Sequence, residues 1–391
     1  MSRSEIPDGW EEKNLGDCAF YINGYAFKPV NWQEHGVPII RIEQMNDDSA
    51  KCDFFDKELP NKFVLQNGDL VFSWSATLSL KIWKRGKAYL NQHLFKVITK
   101  RGNDKLFLKY LIEFNLDKLA GEAHGSTMKH ITRPHLLNYA VKTPKSFAEQ
   151  QNIAHIIFTV DNTIDKTEEL IEKNKKIKQG LMQDLFDWKN WDTVSLGSVA
   201  FVTKLAGFEY TEYFDYSKSG DIIAIRALNM KYGRLDLSDI HTIPRETSMK
   251  LPRSKLNKGD IVISYVGTIG ELSVIPENEK YHLAPNVAKI TLNKKLFLPE
   301  FALYQLLTEI GQRRIMDLVA STTQMAISMT RLRTLNLIKP PLEEQERIVK
   351  IFEIVDKKIN SEESHLAKLL KIKAGLMQDL LTGRVRVGME A

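Results

Sequence analysis

The chain has 391 residues, of which 43% are apolar and 27% charged, and a formal charge of +6. That composition supports two or three globular domains with a mildly basic surface, suited to a polyanionic partner. Two cysteines, Cys18 and Cys52, exclude a disulfide framework and a four-cysteine zinc site, and they fit a reducing, cytoplasmic setting.

In chain order, residues 1–20 lack the basic start and apolar core of a signal peptide. NGYAFK (23–28) is a basic-aromatic loop, and VPIIRIEQM (37–45) reads as a buried strand ending in polar residues. NGDLVFSWSAT (67–77) is a Gly-Asp turn entering an apolar strand. LFLKYLIEFNLDKL (106–119) reads as a helix. Pro144 and the capping-box spacing of Ser146 and Glu149 then open a long helix that runs through GLMQDL (180–185). Further on, DIIAIRALNM (221–230) and KGDIVISYVGT (258–268) repeat the two strand patterns, and LPEFALYQLLTEIGQRRI (298–315) reads as helical. Pro340-Pro341 and Glu343-Glu344 open a second long helix, and Gly383 suits its end. No apolar run is long enough to span a membrane.

GLMQDL recurs at 375–380, 195 residues after its first occurrence. At that offset residues 149–186 align with 344–381 without a gap, and 18 of the 38 positions are identical, far beyond chance. Upstream the match is looser. WEEKNLG (10–16) pairs with WDTVSLG (191–197), and NGDLVFSWSAT with KGDIVISYVGT. YLNQHLFKVI (89–98) pairs with YHLAPNVAKI (281–290), LFLKYL (106–111) with LFLPEF (296–301), and GSTMKHIT (125–132) with ASTTQMAIS (320–328). A period this long is a tandem duplication, not a solenoid.

The matched segments carry heptad-like seams: Ile153, Ile157, Val160, Ile164, Ile171 and Leu181, then Ile348, Phe352, Val355, Ile359, Leu366 and Leu376. Such a seam packs one helix on another. Some 35–40 residues span about 50–60 Å, too long for an ordinary core helix. Thr167, Asn174, Lys178, Glu362 and Lys373 interrupt the seams, either as solvated positions or as residues that select register. The expected division is 1–144, first globular domain; 145–187, central helix; 188–339, second globular domain; 340–383, C-terminal helix; 384–391, tail.

The order of these motifs, twice over, resembles the DNA-specificity subunit of type I restriction–modification systems, along essentially the whole chain. The resemblance implies a fold of two α/β (α+β) target-recognition domains in tandem. Two long helices would separate them as an antiparallel coiled coil with internal pseudo-two-fold symmetry. It implies a non-catalytic subunit that reads a bipartite, asymmetric duplex target. Its partners would be double-stranded DNA, two adenine methyltransferase subunits docked on the helices and, through them, restriction subunits. S-adenosylmethionine, ATP and Mg would belong to the partner subunits, with no cofactor or metal bound by this chain.

With that resemblance, candidate DNA contacts are polar, basic and aromatic residues in loops. In the first half these are Tyr25, Lys28, Ser73, Ser75, Thr77, Gln92, His93, Ser126, Thr127, Lys129 and His130. In the second they are Lys204, Tyr210, Ser264, Tyr265, Thr268, Asn286, Ser321, Thr322 and Gln324. His93 faces Asn286 and Lys129 faces Gln324 in the alignment, as unlike half-sites would require. For each, a turn or packing role is the competing reading.

No phosphate loop, no Asn-Pro-Pro-aromatic methyltransferase motif and no His-Glu-x-x-His occurs. KPPL (339–342) is better read as a helix start. Two rivals remain at this stage: a stand-alone DNA-modifying enzyme and a structural adaptor.

Overall fold

The computed structural model describes residues 6–121, 131–186, 188–189, 191–207, 216, 220–320 and 325–388. The chain divides into two compact units, Met1–Glu168 with Ser364–Ala391, and Glu169–Glu363. The division cuts through both long helices, so each unit contains one globular domain and part of each helix.

In the first unit the strands are β1 (Trp10–Asn14), β2 (Ala19–Asn23), β3 (Val37–Ile40), β4 (Asp53–Phe55), β5 (Val64–Leu65), β6 (Leu70–Ser73), β7 (Ser79–Ile82), β8 (Ala88–Leu90), β9 (Leu94–Thr99) and β10 (Ala140–Pro144). One sheet has the order β2-β9-β6-β7 and is antiparallel throughout. A second has the order β4-β3-β8-β5, with β3 and β8 parallel. β1 pairs with β10, Trp10 opposite Pro144. The helices used below are α1 (Lys105–Gly121) and the long α2 (Phe147–Asp184).

The second unit repeats the plan. β11 (Thr193–Ser195) is followed by β12 (Ala200–Lys204), β13 (Ile222–Ile225), β14 (Met230–Lys231), β15 (Arg234–Leu235), β16 (His241–Ile243), β17 (Lys255–Leu256), β18 (Ile261–Ser264), β19 (Leu272–Val274), β20 (Tyr281–Leu283), β21 (Val287–Leu292) and β22 (Asn336–Ile338). The sheets are β12-β21-β18-β19 and β16-β13-β20-β17, with β13 and β20 parallel. Helices α3 (Pro299–Leu307) and α4 (Glu309–Met316) precede the long α5 (Leu342–Leu380). No helix among the described residues is long and apolar enough to cross a membrane.

The repeated sequence signals have physical counterparts. Gly68 and Gly259 take φ of +90° and +87°, a conformation that glycine adopts without strain. The following aspartates close the turns. Asp69 accepts from the Gln66 amide at 2.8 Å and from Lys96 Nζ at 2.7 Å. Asp260 accepts from the Asn257 amide at 2.7 Å. Lys96 and Lys289 each donate onward to a carbonyl, of Val64 and of Lys255, both at 2.8 Å. Burial pulls the Lys289 ammonium below the usual lysine range, and Asp260 opposes that shift.

The repeated glutamine of the Glu-Gln pair ties each domain to its helix start. Gln150 Nε2 donates to the carbonyls of Pro144 (2.9 Å) and Gly102 (3.1 Å), and its Oε1 accepts from the Asp104 amide at 2.8 Å. Gln345 does the same with Pro340, Leu296 and the Leu298 amide, each at 2.9 Å. Both glutamines are buried, so these bonds satisfy groups that would otherwise be costly.

Within each unit the two helical segments run antiparallel. In the first unit Lys373 meets Asp161 at 2.6 Å, while Ile153, Ala154 and Ile157 share a core with Leu376, Met377 and Leu380. In the second, Lys178 meets Asp356 at 2.7 Å, Lys175 meets Glu363 at 3.8 Å, and Phe186 stacks on Phe352 at 5.8 Å. The lysines that interrupt the seams are therefore the partners of the repeated Val-Asp carboxylates. Each aspartate also accepts a tyrosine hydroxyl, Tyr110 on Asp161 at 2.9 Å and Tyr304 on Asp356 at 2.8 Å. Burial, then the neighbouring aspartate, raises both tyrosines well above the usual phenol range. Thr167 and Asn174 are buried, and the Thr167 hydroxyl returns to the Thr163 carbonyl at 2.7 Å.

Several sequence readings need correction. The strand read over 37–45 ends at Ile40, and a short helix covers Ile42–Asn46. Residues 298–315 form two helices, because Thr308 is extended and its hydroxyl accepts from the Gly311 amide at 3.0 Å, capping α4. Gly311 allows the approach: a Cβ there would lie 2.3 Å from the Gln305 carbonyl oxygen. The pairing of 106–111 with 296–301 is also out of register. Tyr110 corresponds to Tyr304, since each bonds the same repeated aspartate, which sets Phe107 against Phe301.

Phe352 is fully buried and stacks on Tyr304 at 4.6 Å, whereas Ile354, two residues on, is 70% exposed. Phe352→Ala should remove about 3–5 kcal/mol and lower the melting temperature markedly, whereas Ile354→Ala should leave it within error. Differential scanning calorimetry of the full chain checks this, and equal effects would refute the seam as drawn.

Candidate nucleic-acid interface

In each unit the parallel strand pair delivers two chain segments to the same sheet end. In the first, the Asn91 amide donates to the Ile40 carbonyl at 3.0 Å, so Arg41 and the segment 91–93 leave the sheet side by side. The Tyr25 amide bonds the Leu90 carbonyl at 2.7 Å. Gly24 permits this crossing, because a Cβ there would sit 2.2 Å from the Leu90 carbonyl oxygen. The Trp74 ring lies 6.0 Å from the His93 ring and 5.7 Å from Phe95, and the Trp74 carbonyl accepts from the Ile131 amide at 3.0 Å. The 73–77 loop, the 91–93 turn and the end of the 125–132 segment thus converge.

The second unit builds the same corner. The Ala284 amide donates to the Ile225 carbonyl at 3.1 Å, Tyr265 N–H to the Asn286 carbonyl at 3.0 Å, and Ile327 N–H to the Tyr265 carbonyl at 2.9 Å. Lys204 Nζ lies 5.0 Å from the centre of the Tyr265 ring. Arg226, Thr268, Asn286 and Tyr216 line a cleft of about 480 Å³. Ala76 and Asn286 take left-handed φ of 55° and 69°. Asparagine tolerates that conformation, but alanine is strained there, and such strain is held where the surroundings over-determine the turn.

The individual side chains differ in what they offer. Lys28, Thr77, His93, Lys204, Thr268 and Asn286 are exposed, and Ser75 and Gln92 are half-buried. Gln92 Nε2 lies 3.4 Å from His93 Nε2. Tyr25 is half-buried among Phe27, Phe55 and Phe63, a packing role. Ser73 and Ser264 are corrected from contact residues to loop builders. Both are fully buried, and their hydroxyls close the following turns, Ser73 onto the Ser75 carbonyl at 3.3 Å and Ser264 onto the Thr268 carbonyl. The Glu271 amide donates back to Ser264 Oγ at 3.0 Å. Ser126, Thr127, Lys129, His130, Tyr210, Ser321, Thr322 and Gln324 lie outside the described residues.

The twelve seam residues Ile153, Ile157, Val160, Ile164, Ile171, Leu181, Ile348, Phe352, Val355, Ile359, Leu366 and Leu376 are all buried or half-buried. Ile177 and Ile372, equivalent positions of the two copies, are instead 45% and 51% exposed. Among the described residues no cluster of three or more His, Cys, Asp or Glu could hold a metal ion.

Sequence reasoning passed over the arginines that follow β3 and β13, although Ile-Arg ends both strand patterns. Arg41 Nη1 is held by Asp53 at 2.6 Å, and its guanidinium lies 4.8 Å from the centre of the Trp32 ring. Arg226 donates to the Asp239 carbonyl at 2.8 Å and to its carboxylate at 3.1 Å.

The architecture is that of a duplicated α/β recognition module with a helix pair. A family model for the type I restriction modification DNA specificity domain matches residues 7–178 and again 188–371. The chain belongs to that family and carries two recognition domains. It is 24% identical to the type I restriction enzyme MjaVIII specificity subunit of Methanocaldococcus jannaschii, over 99% of this chain and 95% of the relative. It is 23% identical to the EcoBI specificity subunit of Escherichia coli, over 97% of this chain and 86% of that one. The crystal structure of a type I S subunit from M. genitalium has the same fold, with a TM-score of 0.63 at 14% identity, covering 97% of this chain and 98% of that one. A chain from a type I assembly study superposes with a TM-score of 0.57 at 16% identity, covering 98% and 100%.

The buried Ser264 hydroxyl has three backbone groups of one turn within reach. Ser264→Ala should destabilise the second unit by about 1–3 kcal/mol and weaken DNA binding. The exposed Thr268→Ala should leave the melting temperature unchanged. Thermal unfolding of the two variants checks this, and equal melting temperatures would refute the turn-building role.

Proposed function

We propose that this chain is the DNA-reading, non-catalytic subunit of a type I restriction–modification complex. Each recognition domain reads one half of a bipartite, asymmetric duplex target. The observation that carries this reading is the contrast between scaffold and loops. Gln150 and Gln345, Asp161 and Asp356, and Tyr110 and Tyr304 repeat with the same bonds. At the loop corners Trp74 stands against Tyr265 and His93 against Asn286. One frame with two different reading edges suits two unlike half-sites. In this reading Lys28, Ser75, Thr77, Gln92, His93, Lys204, Thr268 and Asn286 face the duplex, joined by polar residues of 126–130 and 321–324.

Two adenine methyltransferase subunits would dock on the helices, and restriction subunits through them. S-adenosylmethionine, ATP and Mg would be bound by those partners, in the cytoplasm. Two copies of one partner need two equivalent surfaces. Ile177 and Ile372 supply matched exposed apolar positions for that purpose.

Binding that rests on phosphate neutralisation loses affinity steeply with salt. For the chain with its methyltransferase partner, affinity for cognate duplex should fall about 10³-fold or more between about 50 and 200 mM salt. A gel-shift titration measures it, and a flat response would count against DNA reading. Ile177→Asp combined with Ile372→Asp should abolish co-purification of the methyltransferase without lowering the melting temperature. Unchanged stoichiometry would remove these positions from the docking surface.

A further inference from the structure

We propose that Arg41 is a base-reading residue of the first recognition domain and that it selects a guanine in one half-site. This rests on the DNA-reading assignment above and names one specificity determinant within it. Arg41 leaves β3 beside the 91–93 turn, because Ile40 and Asn91 are hydrogen-bonded to each other. Its backbone therefore leaves the sheet alongside the 91–93 turn that carries Gln92 and His93. Asp53 holds one side of the guanidinium at 2.6 Å, and Trp32 stacks on its face at 4.8 Å. A guanidinium so braced is fixed in orientation before any ligand arrives, which suits bidentate recognition.

An unpaired donor and an unpaired acceptor point to a missing partner. Arg41 Nη2 is buried and has no hydrogen-bond partner among the described residues, and neither has Gln92 Oε1 on the adjoining segment. A donor pair on arginine matches the O6 and N7 acceptors of guanine, the one base that presents two acceptors side by side in the major groove. Trp32, 44% exposed, covers the guanidinium face, whereas a base edge would approach in the guanidinium plane.

The equivalent Arg226 is engaged differently. Its Nε lies 3.4 Å from Asn229 Oδ1, its Nη1 3.3 Å from His241 Nδ1, and its Nη2 is bonded twice to Asp239. With those groups occupied, Arg226 positions its loop, and the guanine preference belongs to the first half-site alone.

The test is selection from a randomised duplex library by the full chain with its methyltransferase partner. Wild type, Arg41→Ala and Arg41→Lys are compared. The expected result is loss of a guanine preference of about 10- to 100-fold at one position of one half-site in both variants. The other half-site and the salt slope should stay as in wild type. Lysine keeps the charge but not the fork, so its failure separates base reading from phosphate attraction. Uniform weakening over all sequences, with a salt slope lower by about one, would make Arg41 a phosphate contact and overturn the proposal. An unchanged motif would also overturn it, as would loss of the entire half-site in both variants, which would mark a scaffold residue. If wild type selects no sequence at all, the DNA-reading assignment itself falls, a result distinct from the others.

Discussion

A helix of 38 residues with a single apolar stripe does not persist in water unless that stripe is covered, since isolated helical stability falls short of the ordering cost. Both long helices meet that requirement by antiparallel pairing within each unit, where Ile153, Ile157, Ile348 and Phe352 are fully buried. Apolar burial alone would allow the two to slide by a turn. The Asp161–Lys373 and Asp356–Lys178 pairs remove that freedom, because a slip would leave a partly buried charge unpaired. The tyrosine hydroxyls from α1 and α3 then fix each globular domain to the same carboxylate.

Around that seam the rest follows by short steps. Gln150 and Gln345 fasten the domain to the start of each long helix. The Gly-Asp turns launch β6 and β18, whose ends carry Trp74 and Tyr265 to the loop corner. The parallel pairs β3–β8 and β13–β20 bring Arg41 and Arg226 to that corner from the other side. The loop corners lie where the two sheets' strand ends meet, and the frame behind them is the same twice.

Much of this was legible in the chain itself, for identifiable reasons. Residues bonded across the helix seam cannot vary freely, so the 149–186 and 344–381 segments stayed alike and disclosed the duplication. Gly-Asp and the glutamine of Glu-Gln were visible because each does a backbone task that few residues can replace. What escaped was set by three-dimensional closure. Nothing local in the strand end ISYVGT (263–268) tells a buried serine that closes a turn, such as Ser264, from one that faces a ligand. The break at Thr308 was masked by continuous helical periodicity on either side. Arg41 and Arg226 were passed over because a strand-ending arginine gains its meaning only from the neighbour across the sheet, Asn91 or Ala284.

The crossed pairing has a consequence for how such a chain ages. Asp161 belongs to the first copy and its lysine to the second; Asp356 belongs to the second and its lysine to the first. A duplicated gene ordinarily frees one half to drift while the other keeps the old role. Here a change of sign in either half is felt at once by its twin, so the rods are bound to a common fate. Among the described residues each loop corner is closed by bonds within its own copy, so a change there need not be answered by the other half.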